Sequence, residues 1–395
     1  MKGGWKTKNL GDLCQVIGGG TPSKDKAKYY SGDIPWATVR DMRSEVITRT
    51  ECKITKEAVK SSATNIIPRG NVVIATRVGL GKVCLLGRDT AINQDLRGIV
   101  PIDPKVLSVR FLFWWLKSIA DSIVAEGTGA TVQGVKLPFV KSLQIPVPPP
   151  PEQQRIVGIL DKAFDGIAKA RANAGKNLQN ARALFESHLQ SVFTQRGAGW
   201  VEKRLDDVCD LITCGVAARP QYVDVGVPFL SAKNIKRGKI IWSGYNCVSK
   251  KTHDGLTKHN KPLVGDILYT RVGSYGEAAV IEEDIEFSVF VSLTLIKPKK
   301  YLLNNYYLKY YLNSSAVKEL AKRSISSSGV GNLNVGTVRE FPIHLPPLTE
   351  QTSIVAKLST LHEESKRLES LYQRKLAALD ELKKSLLHQA FSGAL

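Results

Sequence analysis

The chain has 395 residues, 43% of them hydrophobic, and 56 Lys or Arg against 36 Asp or Glu give it a formal net charge of +20. That length suits two or three domains with real cores, and no window reaches the ~20 apolar residues of a membrane span, so a water-soluble cytoplasmic protein is expected. A balance this basic implies an acidic partner, and nucleic acid is the commonest one. The six cysteines, Cys14, Cys52, Cys84, Cys209, Cys214 and Cys247, form no Cys-x-x-Cys pair and lie near no zinc-like His spacing, so free thiols are expected.

The first 150 residues read as a mixed α and β unit. Asn71–Ala75 is a strand-like run entered from Gly70, Gly79 and Gly81 mark tight turns, and Arg110–Ile119 has the apolar face of a helix. Trp114 and Trp115 fall on that face and are expected in the core. Prolines 148–151 then brace the start of a long helix that begins at Glu152-Gln153-Gln154 and runs through Leu160, Ile167 and Ala174 to Phe193. Proline fits a first helical turn, where an N–H has no partner in any case, and an acid is favoured at the positive end of the helix dipole.

The chain then repeats itself. Gly4-Trp5 returns as Gly199-Trp200, Ile34-Pro35-Trp36 as Val227-Pro228-Phe229, and Thr76-Arg77-Val78-Gly79 letter for letter as Thr270-Arg271-Val272-Gly273. Asp266–Thr270 and Tyr306–Leu312 repeat the strand and the helix. A second brace, Pro346-Pro347-Leu348-Thr349-Glu350-Gln351, opens a second long helix, with Thr349 as its expected N-cap. By contrast Gly18-Gly19-Gly20-Thr21 has no clear match near Cys214-Gly215, and 43–66 aligns poorly with 236–261. The frame is duplicated and the surface loops are not. The resulting division is a first globular unit at 1–150, a helix at 151–196, a second unit at 197–347 and a second helix at 348–395.

In the second helix Leu358, Leu361, Leu368, Tyr372, Leu379, Leu382 and Leu386 follow heptad steps. In the first, Leu160, Ala163, Ile167, Ala170, Ala174 and Ala181 form an alanine-rich seam. Gly158, Gly166 and Gly175 each cost about 1 kcal/mol against Ala, so packing must hold that helix. The seams fit one intramolecular antiparallel coiled coil, a spacer of about 42 residues per helix, or roughly 63 Å at ~1.5 Å per residue, with one unit expected at each end. Leu160, Ile167, Ala174, Leu361, Leu368 and Leu379 are its expected contacts. The fold class is α+β.

No catalytic pattern emerges. Gly79-Leu80-Gly81-Lys82 fails as a phosphate loop, because Thr76 stands where its first Gly belongs and Val83 where Ser or Thr belongs. No dinucleotide or S-adenosylmethionine loop and no metal spacing is present. The helices hold little of the charge: 152–196 is net +3 and 349–395 net +1, which leaves +16 on the rest. A cation at one place in both halves suits phosphate, which is the same at any sequence. Arg40 with Lys233, Arg77 with Arg271, and Lys82 are the candidates, with a structural ion pair as the competing role for Arg77 and Arg271. Base reading falls to residues that differ between halves: Lys24, Lys26 and Arg43 in the first unit, Gln221, Asn234, Lys236, Arg237 and Ser274 in the second.

Two variable basic units, each closed by Pro-Pro-x-x-Glu-Gln and a long helix, resemble the specificity subunit of type I restriction–modification systems over essentially the whole chain. Gly129-Ala130-Thr131-Val132-Gln133-Gly134 also looks like that family and adds Gln133 to the base-reading candidates; its second copy, Gly329-Val330-Gly331-Asn332-Leu333-Asn334, departs from it. The resemblance implies a subunit with no activity or cofactor of its own, in which each target recognition domain reads one half of a bipartite, asymmetric site in double-stranded DNA and the helices act as a spacer. It implies two adenine-N6 methyltransferase subunits as partners, and two restriction subunits that complete the nuclease. S-adenosylmethionine, ATP and Mg would then belong to those partners. The competing classes are a DNA-architectural protein acting alone and an enzyme with an unrecognised nuclease or methyltransferase site; nicking or methyl transfer by the purified chain would favour the latter.

Overall fold

Short apolar runs punctuated by Gly and Pro become strands in the computed structural model, which describes residues 5–129, 134–195, 197, 199–273, 275–325 and 331–395. The chain divides into two units, one of Met1–Ala174 with Arg374–Leu395 and the other of Gly175–Gln373. The division falls inside the long helices, so each unit holds one globular part and a stretch of both helices. Among the described residues no helix is long and apolar enough to cross a membrane.

In the first unit the strands are β1 (Lys6–Asn9), β2 (Cys14–Gly18), β3 (Ile34–Ala37), β4 (Val46–Ile47), β5 (Cys52–Ile54), β6 (Asn65–Ile67), β7 (Val72–Ala75), β8 (Val83–Leu86), β9 (Thr90–Ile92), β10 (Leu96–Pro101) and β11 (Gln144–Val147). They form a five-stranded sheet in the order β2-β10-β7-β8-β4, a four-stranded sheet β5-β3-β9-β6 and a ribbon β1-β11. All four residues of β7 and of β8 are buried, as central strands covered on both faces must be. The helix Val109–Ser118 packs Phe111, Trp114 and Trp115 into the core, where the sequence placed both tryptophans.

The second unit repeats this frame with β12 (Val201–Arg204), β13 (Cys209–Cys214), β14 (Tyr222–Val223), β15 (Val227–Leu230), β16 (Ile235–Lys236), β17 (Lys239–Ile240), β18 (Asn246–Val248), β19 (Ile267–Thr270), β20 (Ala278–Val280), β21 (Ser288–Val289), β22 (Leu293–Pro298) and β23 (Pro342–Leu345). Its sheets are β13-β22-β19-β20 and β14-β18-β15-β21, with ribbons β12-β23 and β16-β17. The helix Asn305–Asn313 covers the core with Tyr307, Leu308 and Tyr311.

The glutamine of each proline brace explains the motif. Gln153 is 1% exposed: its Oε1 accepts from the Ser108 N–H (2.9 Å), and its Nε2 donates to the Val106 (2.8 Å) and Pro148 (2.9 Å) carbonyls. Gln351 does the same with the Asn304 N–H (2.8 Å) and the Leu302 and Pro346 carbonyls (both 2.9 Å). One amide thus satisfies three backbone groups at the seam where strand, turn and helix meet, which neither a carboxylate nor an alkyl chain can do. The helices run Pro150–Thr194 and Leu348–Ser392, 45 residues each. The second begins one residue before the expected cap, so Thr349 lies inside the first turn.

Within each unit the two helix stretches pair antiparallel. In the first, Arg171 pairs with Asp380 and the Lys383 Nζ lies 5.0 Å from the Phe164 ring centre. In the second, Asn177 donates to the Tyr372 hydroxyl (3.3 Å), Arg182 meets Glu369 (3.0 Å) and the Ser365 hydroxyl donates to the Ala181 carbonyl (2.5 Å). Leu160, Ile167, Ala174 and Ala181 are buried; Leu361, Leu368 and Leu379 are half-buried. Leu382 departs from the expectation. It is 46% exposed, because the buried positions near the chain end are Leu387 and Ala390. No atom lies within 4 Å of where a Cβ would stand on Gly158, Gly166 or Gly175, so no close approach requires these glycines.

Candidate nucleic-acid interface

In the first unit several turns meet at one edge of the five-stranded sheet. The β7–β8 turn carries Arg77 and Lys82, both exposed, and a Cβ on its Gly79 would collide with Val39 in the 3-10 turn Val39–Asp41, which carries exposed Arg40. The β9–β10 turn adds Gln94 and Asp95, and the start of β10 adds Arg97. Gly19 and Gly20 pass against its base: the Gly20 N–H donates to the Ile92 carbonyl (3.0 Å), and a Cβ on Gly19 would collide with the Ile92 and Asn93 carbonyls. Gly134 lies against Arg77, and its backbone pairs with Thr128, so this flank of the Gln133 stretch reaches the same edge. Gln133 itself lies outside the described residues.

The strand ladder overturns the equivalence of Arg77 and Arg271. Ala75 pairs with Leu96 and donates to the Lys82 carbonyl (2.9 Å); in the second unit Thr270 pairs with Leu293 and donates to the Glu277 carbonyl (2.9 Å). The Val135 N–H meets the Thr76 carbonyl, and the Leu333 N–H meets the Arg271 carbonyl, both at 2.9 Å. Ala75 therefore matches Thr270, and Thr76 matches Arg271. The identical letters are slipped by one residue along the strand, and a one-residue slip sends a side chain to the other face. The Arg77 side chain is 49% exposed and 3.6 Å from Asp95. Arg271 is 7% exposed, donating from Nε to the Leu333 carbonyl (2.8 Å) and from Nη1 to the Val291 carbonyl (3.4 Å). It is a structural residue and not a phosphate contact.

Other expectations divide in the same way. Arg40 and Lys233 do occupy matching places, each exposed in a 3-10 turn capped by Thr38 or Ser231. Asn234 holds that cap in the second unit: its Oδ1 accepts from the Ser231 N–H (3.1 Å), and its Nδ2 donates to the Ile241 (3.2 Å) and Ser243 (3.1 Å) carbonyls. Buried and saturated, it cannot read a base; Asp41 plays the same part in the first unit, with the Thr38 N–H at 2.7 Å. Lys82 has no cationic counterpart, because Glu277 takes its place and pairs with Lys318 (2.8 Å). The Gly18-Gly19-Gly20 run does have a match after all. A Cβ on Gly215 would collide with the Val289 carbonyl, which also accepts from the Val216 N–H (3.1 Å), as Ile92 does from Gly20.

Lys24 and Gln221 are exposed; Lys26 donates to the Tyr29 hydroxyl (3.2 Å), and Arg43 is held by the Arg40 carbonyl (2.8 Å) and Glu51. Lys236, Arg237 and Lys239 are exposed on the β16–β17 hairpin, whose two-residue turn has φ of 52° at Arg237 and 72° at Gly238. Such a turn favours Asn or Gly, so an arginine there is a costly choice. Ser274 lies outside the described residues. Burial pushes the thiols of Cys14 and Cys209 up to about 12 and that of Cys84 to about 11, so none of the three is a thiolate at neutral pH. Among the described residues no three His, Cys, Asp or Glu side chains converge as a metal site.

The chain matches the family model of the type I restriction modification DNA specificity domain twice, over residues 2–174 and 198–374. It belongs to that family. The chain is a specificity subunit with two tandem target recognition domains, the non-catalytic component of a type I restriction–modification system. It is 26% identical over 366 residues to the MjaIX specificity subunit of Methanocaldococcus jannaschii, covering 87% of this chain and 83% of that one. It is 36% identical over 173 residues to the EcoR124I/EcoR124II specificity subunit of Escherichia coli, 42% of each. The fold is shared with a chain from a structural study of complex assembly and conformational transition of the type I R-M system, at a TM-score of 0.80, 21% identity and 100% and 99% coverage. It is shared also with the HsdS subunit from Thermoanaerobacter tengcongensis, at 0.63, 21% identity and 100% and 98% coverage. Each matched segment of the specificity subunit contains one proline brace and one copy of the turn-bearing sheet just described.

Sequence reasoning missed Arg97, Asp95 and the locking glutamines' role. Gln153 and Gln351 were visible as repeated letters. Arg97 becomes visible only through the ladder, which sets it opposite Gly18.

Proposed function

We propose that each recognition domain reads one half of a bipartite, asymmetric site in double-stranded DNA through the turns at the edge of its large sheet. The observation that carries this is a repeated frame with unlike exposed loops: Arg40 and Lys233 match, whereas the β7–β8 turn and the β16–β17 hairpin carry cations in one unit each. A matched cation suits phosphate, which is the same at any sequence, and loops that differ between the units suit different bases. In this reading the two long helices set the gap between half-sites and dock two methyltransferase subunits. Two restriction subunits complete the nuclease in the cytoplasm. S-adenosylmethionine, ATP and Mg reside on those partners.

The test is an exchange. Replacing residues 1–150 by the corresponding unit of a relative is expected to change one half of the methylated sequence and leave the other half as it was, read by methylome sequencing. A change in both halves would mean that the units are not independent readers. The spacer role has its own test. Seven residues inserted in both helices, after Ala174 and after Tyr372, keep the heptad register and add roughly 10 Å to each helix at ~1.5 Å per residue. The unread gap is expected to lengthen by about three base pairs at ~3.4 Å each, or methylation to fail, with both half-site sequences kept. Full methylation at the original gap would refute it.

A further inference from the structure

The edge of the first recognition unit holds two arginines and one carboxylate. Asp95 meets the Nη1 of Arg77 at 3.6 Å and also accepts from the Asn93 side chain (3.0 Å). Arg97, two residues along, is half-buried. Its Nη1 donates to the Gln94 (2.9 Å) and Leu96 (2.8 Å) carbonyls, which pins the guanidinium; Nε and Nη2 have no hydrogen bond among the described residues. Opposite it on β2 is Gly18, where a Cβ would stand 4.0 Å from both Nε and Cζ of Arg97. A Cβ there would touch the guanidinium at ordinary contact distance, so a longer side chain on β2 would cover it. Burial lowers the Arg97 pKa from its ordinary value; Asp95 opposes this and Arg77 adds to it. The group stays charged at neutral pH, but it is partly stripped of water with two arms unused.

The ladder identifies the counterparts in the second unit. Leu96 matches Leu293, so Ser292 stands for Asp95 and Thr294 for Arg97, and Cys214, paired with Thr294, stands for Gly18. Ser292 is buried with its hydroxyl accepting from the Ala232 N–H (3.0 Å), and Thr294 is fully buried. By the same ladder Val272 stands for Arg77, so every member of the cluster is absent from the second unit.

We propose that Arg77, paired with Asp95, and Arg97, two residues along the chain from that carboxylate, clamp one backbone phosphate of the DNA, and that the second recognition unit lacks this clamp. The inference rests on the DNA-reading function proposed above. Charge decides for phosphate over a base edge: two guanidinium groups and one carboxylate leave one positive charge, which a phosphodiester neutralises and a neutral base does not. A pinned fork with two free donors also matches the geometry of a phosphate.

The experiment uses the full chain and a mixed-sequence DNA duplex, with affinity followed by fluorescence anisotropy from 50 to 200 mM KCl. Arg97→Ala is expected to weaken binding about five- to tenfold and to lower the slope of log K against log [KCl] by about one, as loss of one phosphate contact does. Asp95→Asn, which removes the opposing charge while keeping the shape, is expected to tighten binding and steepen the slope. A purely structural cluster gives no such gain, so unchanged or weaker binding by Asp95→Asn overturns the proposal even where Arg97→Ala does not fold. A folded Arg97→Ala chain with unchanged affinity and slope also overturns it, as does a changed methylated sequence at constant slope, which would make Arg97 a base reader. A wild-type chain that binds no duplex at all would instead overturn the DNA-reading function itself.

Discussion

Gln153→Glu is expected to destabilise the first unit by about 3–5 kcal/mol, and Gln351→Glu the second by a similar amount, each lowering that unit's melting temperature by about 10 °C. The amide donates to two carbonyls and accepts from one N–H, all in a buried seam. A carboxylate keeps the acceptor, loses both donors and faces two carbonyl oxygens without a counter-charge. The variant relieves this by holding a proton, so its folded-state pKa rises above the ~4.3 of an unfolded glutamate. The sign follows from linkage. Below that pH both states are protonated and the deficit is smallest; as pH rises through the folded pKa the unfolded state is favoured and the deficit grows. Thermal unfolding at pH 4.5 and pH 8 should therefore show a larger gap from wild type at pH 8. Gln153→Ala, which leaves three backbone groups unpaired but adds no charge, is expected to cost about 2–4 kcal/mol with no such pH dependence. A shift below about 2 °C for either glutamate variant would show that the motif's glutamine is not a lock.

How much of this was legible beforehand depends on what each feature needs. The duplication, the two long helices and the buried face of Val109–Ser118 follow from periodicity and repeated letters, and these survive because apolar burial depends on residue class more than on geometry. Features set by hydrogen-bond register did not come through. Thr-Arg-Val-Gly matches its copy by letter, yet the ladder pairs Ala75 with Leu96 and Thr270 with Leu293, one residue off. Gly19 and Gly215 share a role although their neighbours differ, because the contact they permit is with backbone carbonyls, which leave no trace in side-chain identity. Asn234 stands among the base-reading candidates by its letter, but the turn it caps uses its amide internally. Heptad steps put Leu382 in the seam, while the helix turns it outward. Of the candidate interface, the exposed cations were visible and their grouping was not.

The register slip has an experimental signature in the two arginines. Arg271→Met keeps the aliphatic stem and removes the head group, leaving the Leu333 and Val291 carbonyls without their guanidinium donor inside the second unit. Leaving buried acceptors unpaired costs about 1–3 kcal/mol each, with the weaker 3.4 Å bond at the low end, so a loss of about 2–4 kcal/mol is expected. DNA affinity measured below the melting transition should keep its salt slope, because the charge removed faces the interior. Arg77→Met should do the reverse. Its partner Asp95 is 3.6 Å away across a half-exposed gap, an ion pair of the kind worth at most about 1 kcal/mol, so the melting temperature should hardly move. Its salt slope for duplex binding should fall by about one. Melting curves and salt titrations of the two variants, taken side by side, decide between the letter match and the ladder. Equal melting shifts, or equal loss of salt slope, would mean that the two arginines are equivalent after all. A stability loss confined to Arg271→Met and a slope loss confined to Arg77→Met would place one arginine among the core-satisfying groups and the other against DNA.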